Sequence, residues 1–202
     1  MSKIKHYFSL VKFSHSIFAM PFAILGLFLA FQMNDVSFDS WKLILIVLAM
    51  VFARNSAMAF NRYIDRDIDK ENPRTIKREI PAGVVSPNAA MFFIVLNVVL
   101  FIGTTWFINL MCFYLSPVAL AVVLGYSYTK RFTFLCHFIL GLGLALAPIG
   151  AYVAVTEVFN SMIPIYFSLA VLTWTAGFDI IYASQDTDFD DQQKLHSIPQ
   201  RI

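Results

Sequence analysis

Hydrophobic residues in this chain come in long, nearly unbroken blocks. Six stretches stand out: Ser16–Met33, Trp41–Phe60, Asn88–Phe107, Ile108–Tyr126, Leu135–Ala154 and Ile163–Ala183. Each approaches the ~20 apolar residues that an α-helix needs to cross a hydrocarbon layer. The first stretch follows Lys3, Lys5 and Lys12, as the core of a signal peptide would. No small-residue cleavage site follows it and further spans do, so it reads as a retained helix. The pattern predicts an all-α, polytopic membrane helical bundle. No linker, low-complexity stretch or internal repeat divides it, and residues 1–202 read as one transmembrane domain.

The polar segments between the blocks differ in charge. Lys3, Lys5 and Lys12 precede the first block. Arg62, Arg66, Lys70, Arg74, Lys77 and Arg78 lie between the second and third, Lys130 and Arg131 between the fourth and fifth, and Lys194 and Arg201 after the sixth. The alternate segments carry Lys42 as their only basic residue, against Asp35, Asp39 and Glu157. Lys and Arg concentrate on the cytoplasmic side of membrane proteins. The asymmetry therefore predicts an inner or plasma membrane protein with both termini, the 62–87 and 127–134 loops and the C-terminal tail in the cytoplasm.

Composition fits a lipid solvent. Of 202 residues, 58% are hydrophobic and 14% are charged, against about 25% charged in soluble domains. The net charge of +2 gives no reason to invoke a nucleic-acid partner. The 21 phenylalanines suit a lipid-facing surface or a long apolar pocket. Cys112 and Cys136 sit inside apolar stretches without CxxC spacing, which gives neither a metal site nor a disulfide framework. They read as small buried hydrophobes.

Against that background two acidic runs matter. The second block runs into Asn61, Asp65 and Asp69, four residues apart and so one stripe on a helix, with Asp67 pointing elsewhere. The sixth runs into Tyr182, Asp186 and Asp190 at the same spacing, with Asp179 close by. Like charges four apart destabilise a helix unless something offsets them. A hard divalent cation does so: Mg²⁺ takes one or two carboxylates and completes its octahedron with water and substrate phosphate. Two such stripes facing each other predict Mg²⁺ held across a diphosphate, with Arg66, Arg74, Arg78, Lys130 and Arg131 balancing the remaining negative charge. Arg54 lies seven residues before Asn61, inside the apolar block, where an arginine costs ~2.5–3.5 kcal/mol on insertion scales and faces a cavity or a partner. It suits a carboxylate or a phosphate. Asn97 reads as a helix-to-helix hydrogen bond. A divalent-cation channel is the rival from another class, but it predicts acids deep within the spans along a path. Here they cluster at helix ends beside basic loops. A soluble all-helical prenyl synthase also uses Asp clusters, but does not account for the apolar blocks.

These residues resemble the UbiA superfamily of intramembrane prenyltransferases. Asn61, Asp65 and Asp69 match its first motif, Asn-x-x-x-Asp-x-x-x-Asp; Asp186 and Asp190, preceded by Tyr182-Ala183, match the second. Ala53 to Arg62, Asn72-Pro73-Arg74-Thr75, Pro81-Ala82-Gly83 and Lys12 to Pro21 resemble the 4-hydroxybenzoate polyprenyltransferase branch. Tyr128-Thr129-Lys130-Arg131 matches the basic motif of the second cytoplasmic loop. The resemblance covers essentially the whole chain. It implies that Asn61, Asp65, Asp69, Asp186 and Asp190 bind Mg²⁺ and a polyprenyl diphosphate. It places Arg66, Arg74, Arg78, Tyr128, Lys130, Arg131 and Tyr182 around the substrate. Arg54 then anchors the carboxylate of a small aromatic acceptor, or else the diphosphate. The implied reaction prenylates a 4-hydroxybenzoate-like ring for ubiquinone or menaquinone synthesis. Family members typically have nine spans and continue well past the second motif. The expectation is thus six helices of a nine-helix fold, lacking its C-terminal helices; an inactive truncated fragment is the accompanying alternative.

Overall fold

The computed structural model describes residues 3–12, 19–34 and 36–201. Ser16 to Phe18 of the first predicted span, residues 13–18 of the Lys12–Pro21 motif and Asp35 lie outside them. Every regular element among the described residues is helical. Helix α1 covers Lys3–Leu10, α2 Met20–Met33, α3 Ser40–Ile64, α4 Arg66–Glu71 and α5 Pro87–Ile108. Then come α6 over Leu110–Thr129, α7 over Cys136–Thr156, α8 over Ile163–Ala183, α9 over Thr187–Gln192 and α10 over Ile198–Arg201.

Helices α3, α5, α6, α7 and α8, the last continuing through a short 3₁₀ turn into α9, are long and apolar enough to cross a membrane. The described part of the first predicted span is shorter, the 14 residues of α2. At 1.5 Å per residue this is about 21 Å, less than a bilayer core. The outward surface is apolar: Phe92 is 70% exposed, Phe107 71% and Ile181 73%. Water would not tolerate a continuous surface of this kind, and lipid requires it. The chain is an integral membrane protein.

Local chemistry sets the helix ends. The Asp39 carboxylate caps α3, accepting from the Trp41 and Lys42 amides at 2.8 and 3.4 Å. Ser86 caps α5, whose first residue is Pro87. Asn109 is the single residue between α5 and α6. It accepts from the Cys112 amide at 2.7 Å and donates to the Val153 and Ala154 carbonyls at the end of α7, each at 3.1 Å.

In the bundle, α7 packs against α2, α6 and α8, while α3 packs against α5 and α6. Without a hydrophobic force between helices in lipid, close backbone approach at small residues carries much of this association. A β-carbon on Gly26 of α2 would lie 1.9 Å from the Pro148 carbonyl oxygen of α7, and one on Gly141 of α7 would lie 2.5 Å from the Leu172 carbonyl oxygen of α8. At one end of the bundle Tyr152, Asn34 and Asn160 form a closed hydrogen-bonded ring, and Lys42 pairs with Glu157 at 3.5 Å. At the other end α1 docks through buried Leu10 and Val11 onto Ala59, Ile80 and Val85. The 62–87 segment, the 130–135 loop and the C-terminal residues gather at that same end.

Candidate functional site

The first acidic stripe forms as its spacing predicts, across a break in the helix. Helix α3 ends at Ile64 and α4 begins at Arg66, but the four-residue ladder continues: the Asp65 amide donates to the Asn61 carbonyl at 3.0 Å and the Asp69 amide to the Asp65 carbonyl at 2.8 Å. The second stripe departs from one continuous helix. Tyr182 belongs to α8, a 3₁₀ turn over Ser184–Asp186 intervenes, and Asp190 lies in α9.

Asp65 is 2% exposed. It accepts from Lys130 Nζ at 2.6 Å, Arg131 Nη2 at 3.2 Å and Asn61 Nδ2 at 3.2 Å. A buried carboxylate requires such partners, since an unpaired buried charge costs several kcal/mol. Asp69 is likewise buried, and Arg78 Nη1 meets both of its oxygens at 2.7 and 2.8 Å. Asp186 accepts from Arg74 Nε at 2.9 Å and forms a second, very short contact with Arg74 Nη2. Arg74 also donates to the Tyr182 hydroxyl at 3.1 Å and lies over that ring. The Asp186 carboxylate holds the Arg74 guanidinium above its ordinary arginine value. Asp190 has no ion pair or side-chain hydrogen bond among the described residues, but lies within electrostatic reach of Lys130, Asp186 and Arg74.

The two acidic segments are tied to each other. Asn72, just after the first stripe, donates to Asp186 Oδ1 at 3.3 Å and accepts from the Arg74 amide at 2.8 Å. Gln193 donates to Glu71 at 2.6 Å. Tyr128 presents its ring between Phe60 and the Arg131 guanidinium. Arg54 lies half-buried in α3, two turns deeper than Asn61 and within electrostatic reach of Tyr126.

Arg66 is the predicted basic residue that the fold does not bring to the acids. It lies over the Tyr63 ring and donates to the Tyr63 carbonyl at 2.8 Å; among the described residues the one acid it reaches is exposed Asp67, at 3.7 Å. The sequence reading missed Asn72 as a bridge, although an Asn before a Pro is a recurrent turn signal. It also counted Arg62 only as a loop charge. Arg62 is 6% exposed, lies near Asp69, Arg78 and Glu79, and its Nη1 has no hydrogen-bond partner among the described residues. Its position beside Asn61 on a membrane helix was the available signal.

Among the described residues no three His, Cys, Asp or Glu side chains are grouped ready to hold a metal. The donor chemistry nonetheless fits Mg²⁺: four carboxylates and one amide supply hard oxygen ligands on two linked segments, with cations alongside to balance charge.

Comparison with known proteins gives a consistent assignment. The model of the UbiA prenyltransferase family matches residues 19–202. A 4-hydroxybenzoate octaprenyltransferase of Aliivibrio fischeri is 30% identical over 190 residues, covering 94% of this chain and 66% of that protein. One from Tolumonas auensis is 36% identical over 162 residues, covering 80% and 56%. The chain thus spans between about half and two thirds of these relatives' length. The apo structure of a UbiA homologue from Aeropyrum pernix superposes with a TM-score of 0.85 at 35% identity, covering 93% of this chain and 69% of that one. A UbiA homologue from Archaeoglobus fulgidus, bound to DMAPP and Mg²⁺, gives 0.77 at 20% identity, covering 96% and 68%. With the fold, both acidic motifs and a family match over most of its length in agreement, this chain belongs to the UbiA prenyltransferase family.

Proposed function

We propose that this protein transfers a prenyl group from a prenyl diphosphate to a small aromatic acceptor of the 4-hydroxybenzoate type, in quinone biosynthesis, at the cytoplasmic face of the membrane. The observation that carries this reading is the gathering of both acidic segments at one end of a membrane bundle, each tied to basic side chains from the adjoining loops. The names of the relatives support the acceptor class. The Lys and Arg asymmetry supports the cytoplasmic side.

In this reading Asn61, Asp65, Asp69, Asp186 and Asp190 hold Mg²⁺, which when bound supplies positive charge to the diphosphate oxygens. Arg74, Arg78, Lys130 and Arg131 hold the diphosphate and balance its charge as it leaves. The allylic carbon–oxygen bond breaks and its electron pair departs with the diphosphate. A ring carbon beside the acceptor's phenol hydroxyl forms the new carbon–carbon bond, and that carbon then loses its proton. Arg54, two turns deeper, binds the acceptor carboxylate.

The test is a membrane-fraction assay with labelled geranyl diphosphate, Mg²⁺ and 4-hydroxybenzoate. Label should move to the ring only when all three are present. Transfer that survives chelation of Mg²⁺, or no transfer to any carboxylated phenol, would refute the proposal.

A further inference from the structure

We infer that His137, outside both acidic motifs, is a positioning residue: it fastens residues 195–201 as a strap onto the 130–137 segment, and so sets Asp190 and Lys130 at the diphosphate site. The inference deepens the reading under Proposed function and rests on it for the identity of that site.

His137 lies in the first turn of α7 and its side chain is 3% exposed. Its Nδ1 is 2.7 Å from Asp179 Oδ2 on α8, and its Nε2 is 3.3 Å from the Ile198 backbone nitrogen. A backbone N–H only donates, so Nε2 must carry a lone pair. The ring hydrogen is then on Nδ1 and is donated to Asp179. An imidazolium has no lone pair to offer Ile198, and the opposite tautomer would place two acceptors face to face at Asp179. Asp179 thus fixes the tautomer that holds the strap.

The strap meets the same segment at further points. The His196 amide donates to the Lys130 carbonyl at 2.7 Å, and the Cys136 thiol donates to the His196 carbonyl at 3.4 Å. The Arg201 guanidinium lies 4.1 Å from the centre of the Phe134 ring. Leu195 and Ser197 are buried beneath. At its near end the strap is continuous with the second acidic segment: Lys194 takes a left-handed φ of 52°, turning the chain so that the Leu195 amide donates to the Asp190 carbonyl at 2.9 Å. Lys130, held at its backbone by the strap, reaches Asp65 with its side chain at 2.6 Å. One hydrogen-bonded route therefore connects Asp179, His137, the strap, Lys130 and the first acidic stripe, and its other branch ends on Asp190. Among the described residues His137 makes no hydrogen bond or ion pair with an acidic-motif residue, although it lies within electrostatic reach of Asp190; its contact with the strap is through Ile198.

The experiment uses the full chain with Cys112→Ser and Cys136→Ser, the latter keeping a hydroxyl donor toward His196, and with Ser197→Cys as a probe. Maleimide labelling of position 197 should be slow in this background. It should rise about tenfold with His137→Ala, as expected for loss of one buried hydrogen bond. His137→Gln, whose amide can donate to Asp179 and accept from Ile198, should restore slow labelling. Ile198→Pro removes the strap's N–H without touching His137, at the first helical position where proline is tolerated. It should release the strap as His137→Ala does, which keeps the test decisive if His137→Ala fails to fold. The second readout is affinity for geranyl diphosphate with Mg²⁺, expected to weaken about tenfold in the released variants and to recover in His137→Gln. Unchanged labelling in Ile198→Pro and in folded His137→Ala would overturn the strap. Released labelling with unchanged diphosphate affinity would overturn the positioning role. If the unsubstituted chain binds no geranyl diphosphate at all, the proposed function fails, whereas the labelling still reads the strap.

Discussion

Replacing Asp65 by Asn tests the core of the site, because the side chain keeps its size and loses its charge. Asp65 is 2% exposed and accepts from Lys130, Arg131 and Asn61. An amide oxygen there still accepts one hydrogen bond, but two cations then face a neutral group, and the amide NH₂ points at donors. Removing one partner of a fully buried ion pair costs about 3–5 kcal/mol. Lys130 and Arg131 are partly exposed and can turn to solvent, so about 2 kcal/mol is the better figure here. For a chain of this length that lowers the melting temperature by about 4–8 °C. Turnover should fall further, at least about 100-fold, the scale on which a single preorganised electrostatic group acts in catalysis. Asp67→Asn is the matched control: its side chain is 73% exposed and reaches only Arg66, at 3.7 Å, so its effect should stay within about 0.5 kcal/mol. Thermal denaturation in detergent and prenyl transfer, measured on the same preparations, read both quantities. Equal damage from Asp67→Asn and Asp65→Asn would refute the stripe assignment. An Asp65→Asn protein with normal turnover would refute the site.

Four further outcomes follow from the same geometry. Arg54→Ala should raise KM for a carboxylated acceptor about tenfold or more, as loss of a charge-assisted hydrogen bond does, with diphosphate affinity little changed; the reverse pattern in binding assays would reassign Arg54 to the diphosphate. Cysteines placed at Lys77, Phe132 and Gln192 should resist an impermeant maleimide in intact cells while one at Phe159 reacts; opposite accessibility of positions 77 and 192 would separate the two acidic segments and end the shared site. Gly141→Ala puts a β-carbon 2.5 Å from the Leu172 carbonyl oxygen and should cost about 1–3 kcal/mol in thermal denaturation, as overpacking does. Gly103→Ala, which meets open space, should be neutral or mildly stabilising, since a helix interior favours Ala by roughly 0.5–1 kcal/mol.

The parts of this fold that were legible in the sequence are those governed by a single strong local rule. Lipid demands long apolar helices, so five of the expected spans reappear within a few residues of their predicted limits, and the α5–α6 break falls on Asn109, a capping residue. Helical spacing fixed the Asn61–Asp65–Asp69 stripe even though the chain breaks at Asp65, because the hydrogen-bond ladder carries the four-residue repeat through the junction. The same rule overreached at Tyr182–Asp190, where a 3₁₀ turn changes the pitch. What could not be read was partner choice. Arg66 and Arg78 look alike as loop cations, but Arg78 grips Asp69 while Arg66 is captured by Tyr63 one turn away. That difference arises from the path of residues 72–82, where the Asn72 side chain, the Thr75 hydroxyl bound to the Asp69 carbonyl and the left-handed Gly83 shape the loop.

The loop also explains why so polar a site is sustained at a membrane helix end. Asp65 and Asp69 are both buried, and carboxylates so placed are a liability unless every one has a cation within hydrogen-bond reach. Lys130 and Arg131 come from the α6–α7 loop, Arg78 from the loop after α4, and Arg74 from that same loop to the opposite segment. Each loop is itself held by contacts that involve no acidic-motif side chain: α1 on Ile80 and Val85, the strap on Lys130 and His137. The cations are thereby positioned from outside the site. A loop that had to order itself on the diphosphate would lose part of its binding free energy to that ordering. Here the packing of α1 and the strap already meets the ordering, so on the proposed function the interaction with a leaving diphosphate would be preorganised, which is the condition under which such groups lower a barrier.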